Sequence, residues 1–147
     1  AFSLSGKTAI VTGGNKGLGQ GIALAMAEAG AEIAIVSSSG ASEAVDAIRA
    51  QGRQALDIRA DLRTISPIGQ IIKQTVDAFG KVDILVNNAG IIRRASSIDF
   101  TEEDWDEVID LNLKSAFFLS QAAARQMMTR GSGKIINIAS MLSFQGG

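Results

Sequence analysis

Small and polar residues occur at spacings that could bind a phosphorylated ligand. Residues 12–19 read TGGNKGLG and lie between an apolar run at residues 8–11 and a helical apolar pattern. A glycine turn between a strand and a helix is typical of pyrophosphate binding, because free N–H groups and the positive end of the helix dipole face the anion. Gly13 would allow the sharp turn, Gly17 would let the pyrophosphate approach, and Gly19 would let the helix pack closely. The pattern therefore predicts dinucleotide binding, with a tight structural turn as the alternative.

Small polar residues also follow four later apolar runs of the sequence. They are Ser37 and Ser38 after the second run, Asp61 and Leu62 after the third, Asn88, Ala89 and Gly90 after the fourth, and Ser140 after the fifth. The carboxyl ends of parallel strands meet at one edge of a sheet, where ligands bind at the point of reversal in strand order. We therefore expect these residues to line a single site, although each of them alone would be typical of an ordinary turn.

Strands and helices alternate along the chain, which predicts an α/β fold. Apolar runs predict strands at residues 8–11, 32–36, 56–60, 82–86 and 135–138. The predicted helix starts are Ser42, Pro67 and Thr101, and the predicted helix ends are Gly30, Gly52 and Gly80. The last helix is expected to run without a break to about residue 128. Such alternation requires right-handed crossovers, and it predicts a parallel sheet covered on both faces.

The composition narrows the classes of function. A chain of 147 residues predicts one domain, residues 1–147, and a formal net charge of −1 gives no attraction to nucleic acid or to a membrane. There is no cysteine and no histidine, so disulfides are excluded and no metal site is expected. No apolar run has membrane length, and there is no signal-peptide pattern. The expectation is a soluble cytoplasmic protein with a small-molecule partner.

In their order along the chain, these motifs resemble the short-chain dehydrogenase/reductase family. Residues 12–19 match its cofactor loop, residues 87–90 (NNAG) its second signature, Asn112 its helix asparagine and Ser140 its catalytic serine. The resemblance implies a Rossmann-type doubly wound parallel sheet with strands in the order 3-2-1-4-5, truncated after the fifth strand. It also implies an oxidoreductase that transfers a hydride between a nicotinamide cofactor and a secondary alcohol or ketone.

The resemblance also implies roles for individual residues. Ser140 would hold the substrate oxygen, and Asn112 would hold a water of a proton relay through its main chain. Because asparagine is a poor residue in the middle of a helix, its presence there suggests a purpose. The implied cofactor-binding residues are Thr12, Gly13, Asn15, Lys16, Gly17, Leu18, Gly19, Ser37, Ser38, Asp61, Leu62, Asn88, Ala89 and Gly90. Asp61 would bond the adenine amino group, with Leu62 packing nearby.

Three stretches narrow the resemblance within the family. Residues 88–94, 111–115 and 136–147 are similar to the members that act on sugar acids. Such a substrate carries a carboxylate, which arginine binds with two parallel hydrogen bonds. We expect at least one of Arg93 and Arg94 to bind this carboxylate, and Arg94 is the favoured one. Family members are commonly tetramers, so the resemblance also implies a homo-oligomer.

The residues after the second strand bear on the choice between NAD and NADP. Enzymes of this fold that use NAD usually place an acidic residue there, which binds the ribose 2′-OH. This chain has Ser37, Ser38 and Ser39 instead, and Lys16 could add positive charge. Against this, no arginine follows the strand. The sequence favours NADP over NAD, and we expect that both can be used.

The sequence departs from the family in one respect. Members carry a Tyr-x-x-x-Lys pair beyond the serine, and the 147 residues contain no tyrosine. We expect the chain to be the N-terminal part of a longer single-domain enzyme, and to be inactive by itself. A non-catalytic dinucleotide-binding module is the alternative, although it would need neither Ser140 nor Asn112. An α/β interaction domain with an empty crevice is a third reading.

Overall fold

The structure, a computed structural model, describes residues 2–145 as a parallel five-stranded sheet with helices on both faces. The strands are β1 Thr8–Thr12, β2 Glu32–Ser37, β3 Ala55–Arg59, β4 Ile84–Asn87 and β5 Lys134–Asn137. The helices are α1 Gly17–Glu28, α2 Ser42–Ala50, α3 Ile68–Phe79, α4 Glu102–Ile109, α5 Ser115–Met128 and α6 Leu142–Gln145. The strand order β3-β2-β1-β4-β5 confirms the predicted doubly wound sheet. Gly146 and Gly147, which end the third stretch of the family resemblance, lie outside the described residues.

The apolar residues of the central strands divide between two cores, one on each face of the sheet. Val11 and Ile35 pack with α1 and α2, whereas Ile10 and Val36 pack with α3 and α5. All four side chains have no accessible surface. Full burial of such a side chain contributes about 1.5–3 kcal/mol, so these two cores hold the strand ends in place.

The register of the strands aligns the carboxyl ends from which the site is built. Thr12 pairs with Val36 between β1 and β2, and Asn87 pairs with Asn137 between β4 and β5. Ser37 pairs with Arg59 between β2 and β3. The residues that follow β1, β2, β3 and β4 therefore emerge at one edge of the sheet, as the sequence predicts.

Helix boundaries follow the predicted caps in most cases. Gly80 ends α3 in the left-handed conformation, with φ 82°, and the Thr101 side chain caps α4 by accepting the Asp104 N–H at 3.1 Å. Both features confirm predictions from residue type. Pro67 precedes the first residue of α3, so that helix begins one residue later than the proline pattern indicates.

Two helix predictions are wrong. Ser42 does not cap α2, because Ala41 occupies the cap position and its N–H donates to Asp57 Oδ2 at 2.9 Å. A carboxylate from the neighbouring strand thus replaces the local side chain. The helix after Thr101 is also not continuous: a π-helical turn at Asp110–Lys114 separates α4 from α5.

The sheet ends at β5 among the described residues, and this strand is exposed along its length. Ile135 and Ile136 keep 38% and 45% of their surface accessible, whereas isoleucines of β1 and β2 keep none. No helix in residues 2–145 is long and apolar enough to span a membrane.

Candidate functional site

The glycine loop after β1 is built as a turn with space in front of it. Gly13 has φ 64°, and its N–H donates to the Val36 carbonyl at 2.7 Å, which holds the loop against β2. Gly17 has φ 54°, and a Cβ placed on it would meet nothing within 4 Å. A Cβ on Gly19 would collide with the carbonyl oxygen of Gly13 and with Asn88. Gly19 therefore allows α1 to approach the loop, while Gly17 leaves open the space that an anion needs.

A network of hydrogen bonds joins this loop to the end of β4. Thr12 Oγ1 accepts the N–H groups of Asn88 and Ala89 at 3.0 and 2.9 Å, and it donates to the Val86 carbonyl at 3.4 Å. Asn88 Nδ2 donates to the Thr12 carbonyl at 3.0 Å. The side chains of Thr12 and Asn88 are thus engaged inside the protein, where they shape the loop. Contact between either side chain and a ligand stays a prediction.

A crevice of about 360 Å³ runs from the glycine loop across the ends of β2 and β3. Most of the predicted cofactor-binding residues line it. They are Gly13, Asn15, Lys16, Ser37, Ser38, Asp61, Leu62, Ala89 and Gly90. Leu18 does not line the crevice, and its side chain is 77% exposed. The structure therefore brings these predicted residues together in one crevice, and their contact with a cofactor stays a prediction.

The corner of the crevice after β2 is polar. Asn15 Nδ2 donates to Ser39 Oγ at 3.0 Å, and Ser37 Oγ accepts the Gly40 N–H at 3.1 Å. The guanidinium of Arg59, the last residue of β3, packs against Gly40, where an added Cβ would lie 2.7 Å from its Nε and Nη2. Neither Gly40 nor Arg59 lines the crevice itself.

Asp61 and Leu62 lie past β3 and differ in environment. Leu62 is 5% exposed and packs in the core with α3, so only part of it can face the crevice. Asp61 is exposed and pairs with Arg63, whose Nη2 lies 2.8 Å from Oδ2. Hydrogen bonds from the Arg63 side chain and backbone lower the pKa of Asp61, so this carboxylate stays ionised near neutral pH. An ionised carboxylate is a strong hydrogen-bond acceptor, which suits the predicted bond from the adenine amino group to Asp61.

A second crevice, of about 490 Å³, lies between the ends of β4 and β5 and the helix α5. Ala89 and Gly90 line both crevices, so the two are continuous at this point. Asn87, absent from the predicted set, donates from Nδ2 to Ser120 Oγ and to Asn137 Oδ1, both at 2.9 Å. This amide fixes β4, β5 and α5 relative to one another. The pair Asn87 and Asn88 could have indicated this role, since two polar residues at a buried strand end need hydrogen-bond partners.

Asn112 lies in the π-helical turn and holds the loop beyond β4. Its Oδ1 accepts the Ile91 N–H at 2.8 Å, and its Nδ2 donates to the Ile91 carbonyl at 2.9 Å. Asn112 lines the second crevice. The Asn112 side chain thus has a structural role, because it holds both backbone groups of Ile91. Its role in a proton relay stays a prediction.

Ser140 and Arg94 lie at the margin of this edge, and neither lines the two crevices. Ser140 Oγ accepts the Leu142 N–H at 3.1 Å, just past β5. Arg94 is exposed and makes no ion pair with any described residue, whereas Arg93 contacts Glu107 at 2.6 Å. The structure therefore brings Asn112 into the crevice and leaves Ser140 and Arg94 at its rim.

The fold and this site define a class of protein. A parallel sheet in this order, with a glycine loop at the switch point and a crevice across its carboxyl edge, is a Rossmann-type nucleotide-binding domain. The chain belongs to the short-chain dehydrogenase family, whose model, described as short chain dehydrogenase, matches residues 7–147.

Individual relatives are similar along almost the whole chain. The 2-dehydro-3-deoxy-D-gluconate 5-dehydrogenase of Escherichia coli K12 is 53% identical over 148 residues, which are 100% of this chain and 58% of that enzyme. A crystal structure from Agrobacterium tumefaciens, described as a 2-deoxy-D-gluconate 3-dehydrogenase with bound NADP, is 49% identical with a TM-score of 0.87, and covers 99% of this chain and 58% of that one. A structure from Sinorhizobium meliloti, described as a short-chain alcohol dehydrogenase, is 40% identical with a TM-score of 0.95, covering 99% and 59%. The chain thus spans less than two thirds of the length of these relatives.

Proposed function

We propose that these residues are the cofactor-binding part of an oxidoreductase. The enzyme transfers a hydride between NADP or NAD and a secondary alcohol or ketone of a sugar acid such as 2-deoxy-D-gluconate. The observation that carries the proposal is the crevice that runs from the glycine loop to Asn112 through Ala89 and Gly90. The likeness to sugar-acid dehydrogenases, one of them crystallised with NADP, supports the cofactor and the substrate class.

The residues present fit a nicotinamide dinucleotide. The open space before Gly17 accommodates a pyrophosphate at the N-terminus of α1, whose N–H groups and dipole favour an anion. The crevice beside Ser38 and Asp61 would hold the adenosine, and the second crevice would hold the nicotinamide end. When bound, the cofactor supplies or accepts the hydride.

The chain's own polar groups act on the substrate oxygen. Ser140 Oγ already accepts the Leu142 N–H, so its hydroxyl proton is free to be donated to a substrate carbonyl oxygen. A donor placed there stabilises the negative charge that develops on this oxygen. The side-chain amide of Asn112 bonds both backbone groups of Ile91. The family resemblance assigns its share in a proton relay to its main chain, in the π-helical turn.

The proton donor of the reaction is proposed to lie outside these residues. The 147 residues contain neither tyrosine nor histidine, and the crevice residues include no neutral acid suited to pH 7. We propose a Tyr-x-x-x-Lys pair in the remaining length of the enzyme, so the present chain should be inactive alone. The alternative of a non-catalytic dinucleotide-binding module makes the opposite prediction for the full-length protein.

We also propose that the full-length enzyme is a cytoplasmic homotetramer. Trp105 of α4 is 59% exposed, and such an exposed aromatic side chain supports self-association. Sedimentation of the full-length protein tests the assembly, and a monomer would contradict it.

The activity is tested on the full-length protein with 2-deoxy-D-gluconate and with 2-deoxy-D-glucose, each with NADP and NAD. We expect turnover of the acid, and a kcat/KM at least about tenfold lower for the neutral sugar, because a charged hydrogen bond is lost. The 147-residue chain should bind cofactor without turnover. Cofactor binding by the full-length protein with no oxidation of any sugar acid would favour the non-catalytic module.

A further inference from the structure

Two arginines from different loops form part of one wall of the first crevice, the one that starts at the glycine loop. Arg63 follows β3 and Arg93 follows β4, and both line this crevice. Two guanidinium groups on one wall repel each other unless an anion lies between them. Glu107 of α4 supplies that anion: its Oε2 lies 2.6 Å from Arg93 Nη2, and its Oε1 lies 3.6 Å from Arg63 Nη1. One carboxylate thus bridges the two arginines.

Glu107 itself lies behind this wall. It does not line the crevice, but it lines an outer groove of about 610 Å³ between α4 and the loop after β3. Its side chain is 28% exposed, and Arg93 donates to its Oε2 from both Nε and Nη2, at 3.0 and 2.6 Å. Partial burial and paired donors make this contact stronger than an isolated surface ion pair. Glu107 can therefore act on a ligand in the crevice only through the arginines.

Each arginine also has an acidic partner that the other lacks. Arg63 Nη2 lies 2.8 Å from Asp61 Oδ2, and Arg93 Nε lies 3.6 Å from Asp104 Oδ1. Among residues 2–145, only Glu107 pairs with both arginines. Glu107→Gln would therefore leave the two outer pairs in place and remove only the link between them.

The bridge connects the two ends of the proposed site. Asp61, at one end, is the residue predicted to bond adenine. Arg93, at the other end, lies in the loop that starts at Gly90, where the two crevices meet, and it precedes Arg94, the residue favoured to bind the substrate carboxylate. Arg93 Nη1 also donates to the Ile92 carbonyl at 3.1 Å, so the guanidinium restrains the backbone of this loop.

We propose that Glu107 is a positioning residue that couples the adenosine end of the cofactor site to the substrate end by holding Arg63 and Arg93 together. This inference rests on the proposed function, because it requires a dinucleotide in the first crevice and a sugar acid near the second. Residues of one ion-pair network are energetically coupled. With the bridge intact, a change at Arg63 shifts Arg93 and with it Arg94. Once the bridge is cut, the loops after β3 and β4 respond independently.

The test is a double-mutant cycle in the full-length enzyme, with KM for 2-deoxy-D-gluconate measured at saturating cofactor. Arg63→Met should raise this KM by about threefold or more in the parent, although Arg63 lies at the adenosine end. In a Glu107→Gln background the same substitution should raise it by less than about 1.5-fold. Glu107→Gln alone should raise KM by about threefold and leave kcat within about twofold, because binding is lost equally in ground state and transition state.

The matched control is Asp106→Asn. Asp106 is an exposed carboxylate of the same outer groove, and it makes no ion pair with any described residue. Asp106→Asn removes the same charge as Glu107→Gln without cutting the bridge. Arg63→Met should therefore keep its full effect on KM in the Asp106→Asn background.

The outcomes separate this inference from the proposed function. If Arg63→Met changes KM by the same factor with and without Glu107, or leaves KM unchanged in the parent, the coupling is overturned while the function stands. A lowered melting temperature of Glu107→Gln with additive effects on KM would reduce Glu107 to a structural residue. If Glu107→Gln does not fold, Arg93→Met cuts the same bridge, and a full effect of Arg63→Met in that background overturns the coupling. If the parent oxidises no sugar acid, the proposed function fails and this inference with it.

Discussion

Two adjacent arginines follow β4, and the structure gives them different partners. Arg93 Nη2 contacts Glu107 at 2.6 Å and Arg93 Nε lies 3.6 Å from Asp104, so its charge is already paired with α4. Arg94 is exposed and has no such partner in the described part of the chain. Of these two arginines, Arg94 is the one without an ion-pair partner among the described residues, and its binding of a substrate carboxylate stays a prediction.

Replacing this arginine should affect the substrate and not the cofactor. In the full-length enzyme, Arg94→Met should raise KM for 2-deoxy-D-gluconate by about tenfold, because a charge-assisted hydrogen bond is lost. Cofactor affinity, measured by titration, should stay within about twofold of the parent value. The matched control is Arg125→Met, an exposed arginine of α5, which should change neither quantity. An unchanged KM in Arg94→Met would reduce Arg94 to a surface charge.

Sequence reasoning predicted many of the residues that line the crevice, but few of the side chains that they contact. Gly13, Asp61 and Gly90 were predicted from residue type and spacing, and all three line the crevice. The pairing of Arg93 with Glu107 could not be predicted, because it joins a loop to a helix fourteen positions later. The position of Arg59 beside Ser37 was equally unpredictable, since it depends on the register of β2 and β3.

The π-helical turn between α4 and α5 is the irregular element of the site. Such turns are rare and occur often at functional sites. Here the turn carries Asn112, whose amide holds both backbone groups of Ile91. Ser115 Oγ donates to the Leu111 carbonyl at 2.6 Å, which satisfies a group that a regular helix would pair with an N–H. The sequence showed that Asn112 is unfavourable in the middle of an α-helix, but it did not show that the helix becomes π-helical at this residue.

Removing the clamp should release the loop after β4. Asn112→Ala loses two hydrogen bonds, each worth about 0.5–1.5 kcal/mol, and should lower both kcat and thermal stability of the full-length enzyme. The specific readout is hydrogen exchange of the Ile91 amide, which should become faster. Gln121→Ala, on the exposed side of α5, serves as the control and should leave this amide unchanged. Unaltered protection of the Ile91 amide in Asn112→Ala would contradict the clamp.

An ionic cluster around the buried Asp83 holds the edge of the sheet opposite the site. Asp83 is 5% exposed; its oxygens accept the Thr8 N–H at 2.9 Å and lie 2.8 Å from Arg130 and 3.1 Å from Lys81. Burial alone would raise the pKa of Asp83, but the hydrogen bonds from Thr8, Arg130 and Lys81 hold the pKa of Asp83 below its usual value. The cluster joins β1, the start of β4 and the end of α5.

The lowered pKa predicts how stability depends on pH. The ionised carboxylate stabilises the fold above its unfolded pKa, about 3.9, and this stabilisation is lost as pH falls through the lower folded pKa. Asp83→Asn should therefore lower the free energy of unfolding near pH 7 by about 1–3 kcal/mol, and the difference should shrink below about pH 4. Melting temperatures across this range measure it. Asp77→Asn, at an exposed pair with Lys73, is the control, and equal effects of both substitutions would contradict the cluster's role.

The order of the strands was predictable at this scale, whereas the details at the helix ends were not. Alternating apolar runs and right-handed crossovers restrict the sheet to few arrangements, and the resemblance selected the one that the structure has. The start of α2 was mispredicted because Ala41 occupies the cap position, and its N–H donates to Asp57 of β3. Tertiary partners of this kind replace local signals, and a single sequence does not reveal them.

We propose that the loop after β1 binds the pyrophosphate of a nicotinamide cofactor. Calorimetric titration of NADP and NAD into the full-length protein and its Gly17→Val variant tests this binding. The matched control is Gly52→Val, because Gly52 also has positive φ, 79°, with open space around it, but follows α2 away from the crevice. We predict that the parent and Gly52→Val bind tightly, whereas Gly17→Val shows no measurable binding. The melting temperatures of Gly17→Val and Gly52→Val should be equal. Equal affinity of Gly17→Val and the parent for both dinucleotides would contradict the claim.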